Sequence, residues 1–157
     1  MPWSAEDLSE YDPPDRIRRL PSWLTGRVAE TAAGLVAGAL AAEGLRRQHF
    51  VVLSALAERG AASQAALGRR LLIDRSDMHA LLSELEQDGL VARVRDPKDR
   101  RRMLVELTPA GGRVLKRLDR RIEAAQDALV APFSTADRRE LQQLLTLLVE
   151  HHSHRQS

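Results

Sequence analysis

Two clusters of side chains in this sequence have the types and spacing to bind a polyanion. In residues 74 to 88, Met78, Leu82 and Leu85 fall on one side of a helical period. Arg75, Ser76, His79 and Ser83 then share the opposite side, with Asp77 in the same first turn. Arg75 and His79 are one helical turn apart. A guanidinium fork matches the two acceptors of guanine in the major groove, and Ser76 and His79 can donate to bases or phosphates. A merely solvated helix face is the alternative. The second cluster is Lys98, Arg100, Arg101 and Arg102, interleaved with Asp96 and Asp99. On a projecting loop these arginines suit the negative potential of a minor groove; a solvated charge run is the alternative. Ser63 and Gln64, at the start of a short helix, can offer hydroxyl, amide and backbone N–H groups to a phosphate.

Other chemistries find weaker support. Glu150, His151, His152 and His154 invite a metal, yet they lie at the end of the chain with no thiol, where a mobile tail is the better account. No metal and no cofactor is expected. Trp23 and His49 are candidates to line an effector pocket, against a core or interface role for both. No Gly-rich phosphate loop and no Ser/His/Asp set with supporting turns is present, so an enzyme is not expected. The absence of cysteine excludes disulfides, thiolate metal sites and thiol-based peroxide sensing.

A chain of 157 residues has the size of one domain, or of a small domain with helical arms. With 43% hydrophobic and 29% charged residues it can build a core and stay in solution. Its apolar set is dominated by Ala and Leu, which favours helices. The net charge of +2 does not by itself indicate nucleic acid. Its distribution is more telling: the first 15 residues carry acids and no base, whereas residues 93 to 102 hold a basic cluster. No run reaches the roughly 20 apolar residues of a membrane span, and the acidic, Pro-containing N-terminus is unlike a signal peptide. A soluble cytoplasmic protein without a membrane partner is expected.

These clusters need elements to hold them. Trp23, Leu24, Val28, Leu35, Val36 and Leu40 predict a first helix from Ser22, with Gly44 as its stop. A second runs over about 46 to 58. Ser63 caps a third through Arg70, and Asp74 caps a fourth that ends at Asp88-Gly89. The short connection between these two has the spacing of a helix-turn-helix. The period then switches to two over residues 90 to 95 and 103 to 107, predicting a hairpin whose charged tip is Asp96 to Arg102. Thr108-Pro109 opens a long helix to about Val130, and Ser134 with Asp137 opens a last one.

The stretches Ile73-Asp74-Arg75-Ser76, Leu85-Glu86-Gln87-Asp88-Gly89-Leu90-Val91, Asp96-Pro97-Lys98-Asp99-Arg100-Arg101 and Val105-Glu106-Leu107-Thr108-Pro109-Ala110-Gly111 resemble the MarR family of bacterial regulators over about residues 22 to 150. The fold expected is mainly α with a small β-hairpin: a winged helix-turn-helix domain plus a helical dimerisation region from both chain ends. The division expected is an acidic arm (1–21), a dimerisation helix (22–45), the DNA-binding domain (46–108), C-terminal dimerisation helices (109–152) and a tail (153–157). The resemblance implies a transcriptional regulator, most often a repressor, with double-stranded DNA and a second copy of itself as partners. It further implies that Asp99 orients Arg101 through an ion pair and that Arg101 enters the minor groove. A small anionic or phenolic effector is a further expected partner. The rival readings are a winged module that binds proteins and a metal-responsive regulator.

Overall fold

The computed structural model describes residues 12–153. Most of the N-terminal arm, and His154 with the rest of the tail, lie outside the described residues. Within them the chain forms α1 (Asp15–Arg18), α2 (Pro21–Ala41), α3 (Arg47–Arg59), α4 (Gln64–Leu71), α5 (Arg75–Gln87), β1 (Val91–Arg95), β2 (Met103–Leu107), α6 (Pro109–Leu129) and α7 (Thr135–Ser153). This is the predicted mainly helical order with one hairpin. The helical turn α1 is an addition. It follows Pro13-Pro14, is closed by the Ile17 amide on the Pro14 carbonyl, and sits beside a buried Pro13. Among the described residues of the arm, Pro13 is therefore packed against the rest of the protein.

The predicted boundaries hold because the punctuating residues act as read. Pro21 occupies the first turn of α2. Gly44 takes φ 70°, and the Gly44 and Leu45 amides close on Ala41 and Leu40 carbonyls to end that helix. Ser63, Asp74 and Thr108 each accept backbone amides at the starts of α4, α5 and α6.

The core is one cluster: Leu40 of α2 and Leu45 just after it, Val52, Leu53 and Leu56 of α3, Leu67 of α4, Met78, Leu82 and Leu85 of α5, Val91 and Val105 of the hairpin, and Leu115 and Leu118 of α6. The helix α6 thus belongs to the same core as α3 and α5, and α2 packs chiefly along it. The strands pair antiparallel from Val91↔Leu107 to Arg95↔Met103. An extra bridge, Ala62↔Val105, joins the segment before α4 to β2, with Ala62 N–H to Val105 O at 3.0 Å and the return bond at 2.8 Å.

Gly111 proves to be a packing requirement, where its sequence alone says little. A Cβ there would lie 2.1 Å from the Leu90 carbonyl oxygen. The Thr108 amide donates to that same carbonyl at 3.1 Å, and the Thr108 hydroxyl to Gly89 O at 2.7 Å, which draws α6 onto the start of β1.

The helix α7 is different. A reciprocal pair starts it, with the Ser134 hydroxyl and amide donating to Asp137, whose amide donates back to Ser134 Oγ. Yet it has no buried residue, and Leu144, Leu145, Leu147, Leu148 and Val149 stand exposed along it.

Candidate nucleic-acid interface

The helices α4 and α5 make up the helix-turn-helix, and its turn is tightly stitched. The Gly68 carbonyl accepts the amides of both Leu72 and Ile73, the latter at 3.0 Å. Leu72 adopts φ 54° and is 93% exposed, an unusual conformation for a branched apolar side chain. The concavity on the outer side of this turn, about 980 Å³, is lined by Gln64, Arg69, Arg75, Ser76 and His79 among others. Four of the predicted DNA-facing residues are therefore brought together. Arg69 is the member that the sequence pattern misses, because α4 is too short for its outer face to be read from period alone.

The mouth of α5 is chemically occupied. Asp74 Oδ1 accepts the Ser76 amide at 2.8 Å, the Asp77 amide at 2.9 Å and the Ser76 hydroxyl at 2.8 Å. The Asp77 amide is the main cause holding the Asp74 carboxyl below its usual range. The adjacent Asp77 is pushed up by its hydrogen bond to, and repulsion from, Asp74. Asp77 is not among the residues that line the concavity. Gln64 Nε2 donates to the Arg75 carbonyl at 3.3 Å, docking α4 on α5. Ser63 Oγ accepts the Ala66 amide, and the Ser83 hydroxyl, half-buried, donates back to His79 O at 2.8 Å.

The wing tip is folded by its aspartates. Asp96 Oδ1 accepts the Lys98 amide and Asp99 Oδ1 the Arg101 amide, at 2.9 and 3.0 Å. Arg95 Nη1 reaches across to Arg100 O at 2.9 Å. The expected Asp99–Arg101 ion pair is therefore corrected: Asp99 fixes the backbone of Arg101, two residues away, because a short acid closes an Asx turn more readily than it reaches a long side chain. Among the described residues, Arg69, Arg75, Lys98, Arg100, Arg101 and Arg102 form no ion pair. Several arginines that join one element to another are engaged instead: Arg46 with Glu84, Arg70 with Glu58, Arg93 with Glu86, and both Arg117 and Arg121 with Glu43.

Of the proposed pocket residues, His49 is 5% exposed with both ring nitrogens engaged. Its Nδ1 accepts the Arg46 amide and its Nε2 lies 2.8 Å from Glu84 of α5, which is the satisfied core role. Trp23 is half-buried on α2, and no hydrogen bond links it to His49. Among the described residues no three His, Cys, Asp or Glu side chains group to hold a metal ion, and no helix is long and apolar enough to cross a membrane.

A MarR family model matches residues 43–102, the stretch from the end of α2 through the wing. The homoprotocatechuate degradative operon repressor of Escherichia coli is 33% identical over 106 residues, covering 68% of this chain and 70% of that protein. The chain belongs to the MarR family. Another similar member is a putative transcriptional regulatory protein for the hcr operon of Thauera aromatica, 32% identical over 106 residues and 68% of this chain. The chain spans 64% of that relative's length. Among solved MarR-type structures, the PcaV transcriptional regulator from Streptomyces coelicolor, in complex with its natural ligand, aligns with TM-score 0.66 and 28% identity over 89% of this chain and 98% of that one. The winged helix-turn-helix seen here is thus the MarR fold.

Proposed function

We propose that this chain is a homodimeric transcriptional regulator, acting as a repressor, that binds a pseudo-palindromic duplex operator. The helix α5 enters the major groove with Arg75, Ser76 and His79, and the wing reaches the flanking minor groove with Arg101 foremost. Lys98, Arg100, Arg102 and Ser63 serve phosphates. One observation carries this reading: Arg69, Arg75 and His79 are gathered on one concavity of the helix-turn-helix and Lys98, Arg100, Arg101 and Arg102 on the wing tip, and none of these forms an ion pair within the described residues. A protein partner at the wing would favour exposed apolar residues; Met103 stands at its base, but the tip is cationic.

The dimer is supported by the bare apolar face of α7 and by Leu24 and Val28 of α2, which a second copy would bury isologously. Residues 22–45 and 109–152 would supply that interface and 46–108 the reading head, although Leu115 and Leu118 give α6 a share in both. A small anionic or phenolic effector would release DNA if it favours a dimer whose reading heads are wrongly spaced. The ligand-bound Streptomyces relative supports an effector of some kind. Nothing in this reading calls for catalysis.

The test is titration of a palindromic promoter fragment with the purified chain. Binding should be firm at low salt, weaken steeply as salt rises, and be lost when Arg75→Ala and Arg101→Ala are combined. No binding at low salt, or no effect of the double substitution, would sink the reading.

A further inference from the structure

We infer that Arg69 binds a backbone phosphate, seated beside Arg75 across the turn between α4 and α5. This rests on the DNA-binding reading and adds a residue that neither the sequence pattern nor the relatives' names assign.

Arg69 and Arg75 line the same concavity. The backbone that carries Arg69 is anchored, because Gly68 before it is bonded through its carbonyl to the far side of the turn. The approach there is close: a Cβ on Gly68 would lie 3.0 Å from Ile73 O. The next residue shows the contrast. Arg70 donates to Ala55 O at 3.2 Å and to Glu58 at 2.9 Å, so its guanidinium is used up in joining α4 to α3. Arg69 is exposed and makes no ion pair within the described residues.

The usual alternative seat for a phosphate is closed. The amides of Ser76 and Asp77 at the start of α5 are already taken by Asp74, and the carboxylates of Asp74 and Asp77 would repel an anion. Gln64 uses one N–H of its side-chain amide on the Arg75 carbonyl. Asp74 lines the same concavity, so a phosphate is favoured on its α4 side, where the Arg69 guanidinium can make charge-assisted hydrogen bonds to it. The first helix of such a motif crosses the sugar–phosphate backbone while the second reads bases. Arg69 on α4 is placed for the former task, which leaves Arg75 and His79 for base edges.

The experiment uses the full chain with two duplexes: an operator selected by the protein from random DNA, and an unrelated duplex of equal length. Arg69→Ala should weaken binding to both by the same factor. The slope of log affinity against log salt should become shallower by about 0.9 for each phosphate that is no longer neutralised. Arg69→Lys should keep most of the slope. Arg75→Ala should instead lower the preference for the operator, and Arg70→Ala should lower Tm with the slope unchanged. An unchanged slope in Arg69→Ala, or a weakening confined to the operator, overturns the assignment while leaving DNA binding intact. If the parent chain binds neither duplex at low salt, the broader reading fails first.

Discussion

Nε2 of His49 lies 2.8 Å from Oε2 of Glu84, so a buried ring on α3 grips the exposed side of α5. Arg46 Nη2 holds the same oxygen at 2.6 Å, and the Arg46 amide donates to His49 Nδ1 at 3.2 Å. The three residues form a closed latch between the first helix of the winged domain and its reading helix. His49→Ala should cost about 1–3 kcal/mol, since it removes a buried side chain and leaves its hydrogen-bond partners unmatched. Urea unfolding will measure this, and a change below a few tenths would count against the latch.

Glu84 also predicts an acid response. Arg46 first, then His49, hold its carboxyl below the ordinary 4.5. A lowered folded pKa means stability that is complete above the unfolded value and disappears as pH falls through the folded one. Glu84→Gln should therefore show a flatter decline of Tm than the parent below pH about 4.5. Parallel curves would show that the ion pair does not contribute.

Gly111 and Gly112 should answer differently to the same substitution. At Gly111 a methyl meets the Leu90 carbonyl at 2.1 Å, so Gly111→Ala must displace the backbone where α6 joins β1, costing about 3 kcal/mol or more. At Gly112 the nearest atom is Leu107 Cδ2 at 4.0 Å, so Gly112→Ala should be neutral or gain up to about 1 kcal/mol of helix preference. Thermal melts of the two variants decide it by their opposite signs.

Leu72 is a site for stabilisation. Its left-handed backbone costs a side-chain-bearing residue about 1–2 kcal/mol, and at 93% exposure it recovers little of this through packing. Leu72→Gly should raise stability by about 1 kcal/mol, reduced somewhat by the freer unfolded chain. A fall in Tm would mean that Leu72 has a partner outside this chain.

The face of α7 should govern association. Leu147→Glu with Val149→Glu places charge where side chains are 62% and 67% exposed, so a folded monomer gives up nothing internal. Sedimentation should show a parent dimer shifting to monomer. An unaltered dimer would place the interface elsewhere.

Most of the architecture was legible because its boundaries are written in local chemistry: Ser63, Asp74 and Thr108 as caps, Gly44 as a stop, and a change of period at Leu90. The α5 reading face was legible for the same reason, since Met78, Leu82 and Leu85 fix its inner side. What escaped depends on segments distant in sequence meeting in space. Glu84 belongs with His49, 35 residues earlier. Ala62 pairs with Val105, and Arg69 gains its meaning only when α5 folds against α4. At Asp99 it was the resemblance that misled: it implied an ion pair with Arg101, whereas at a separation of two residues the backbone amide is nearer and the carboxylate closes a turn on it.

The Ala62–Val105 bridge pins the hairpin at the middle of β2, next to the segment that launches α4, whereas residues 96 to 102 lie beyond the last strand pair. The hairpin therefore behaves as a clamped cantilever with an interchangeable head. Changes in length or charge at the tip are mechanically isolated from the core, and any tilt of the pinned strand is delivered to helix and wing together.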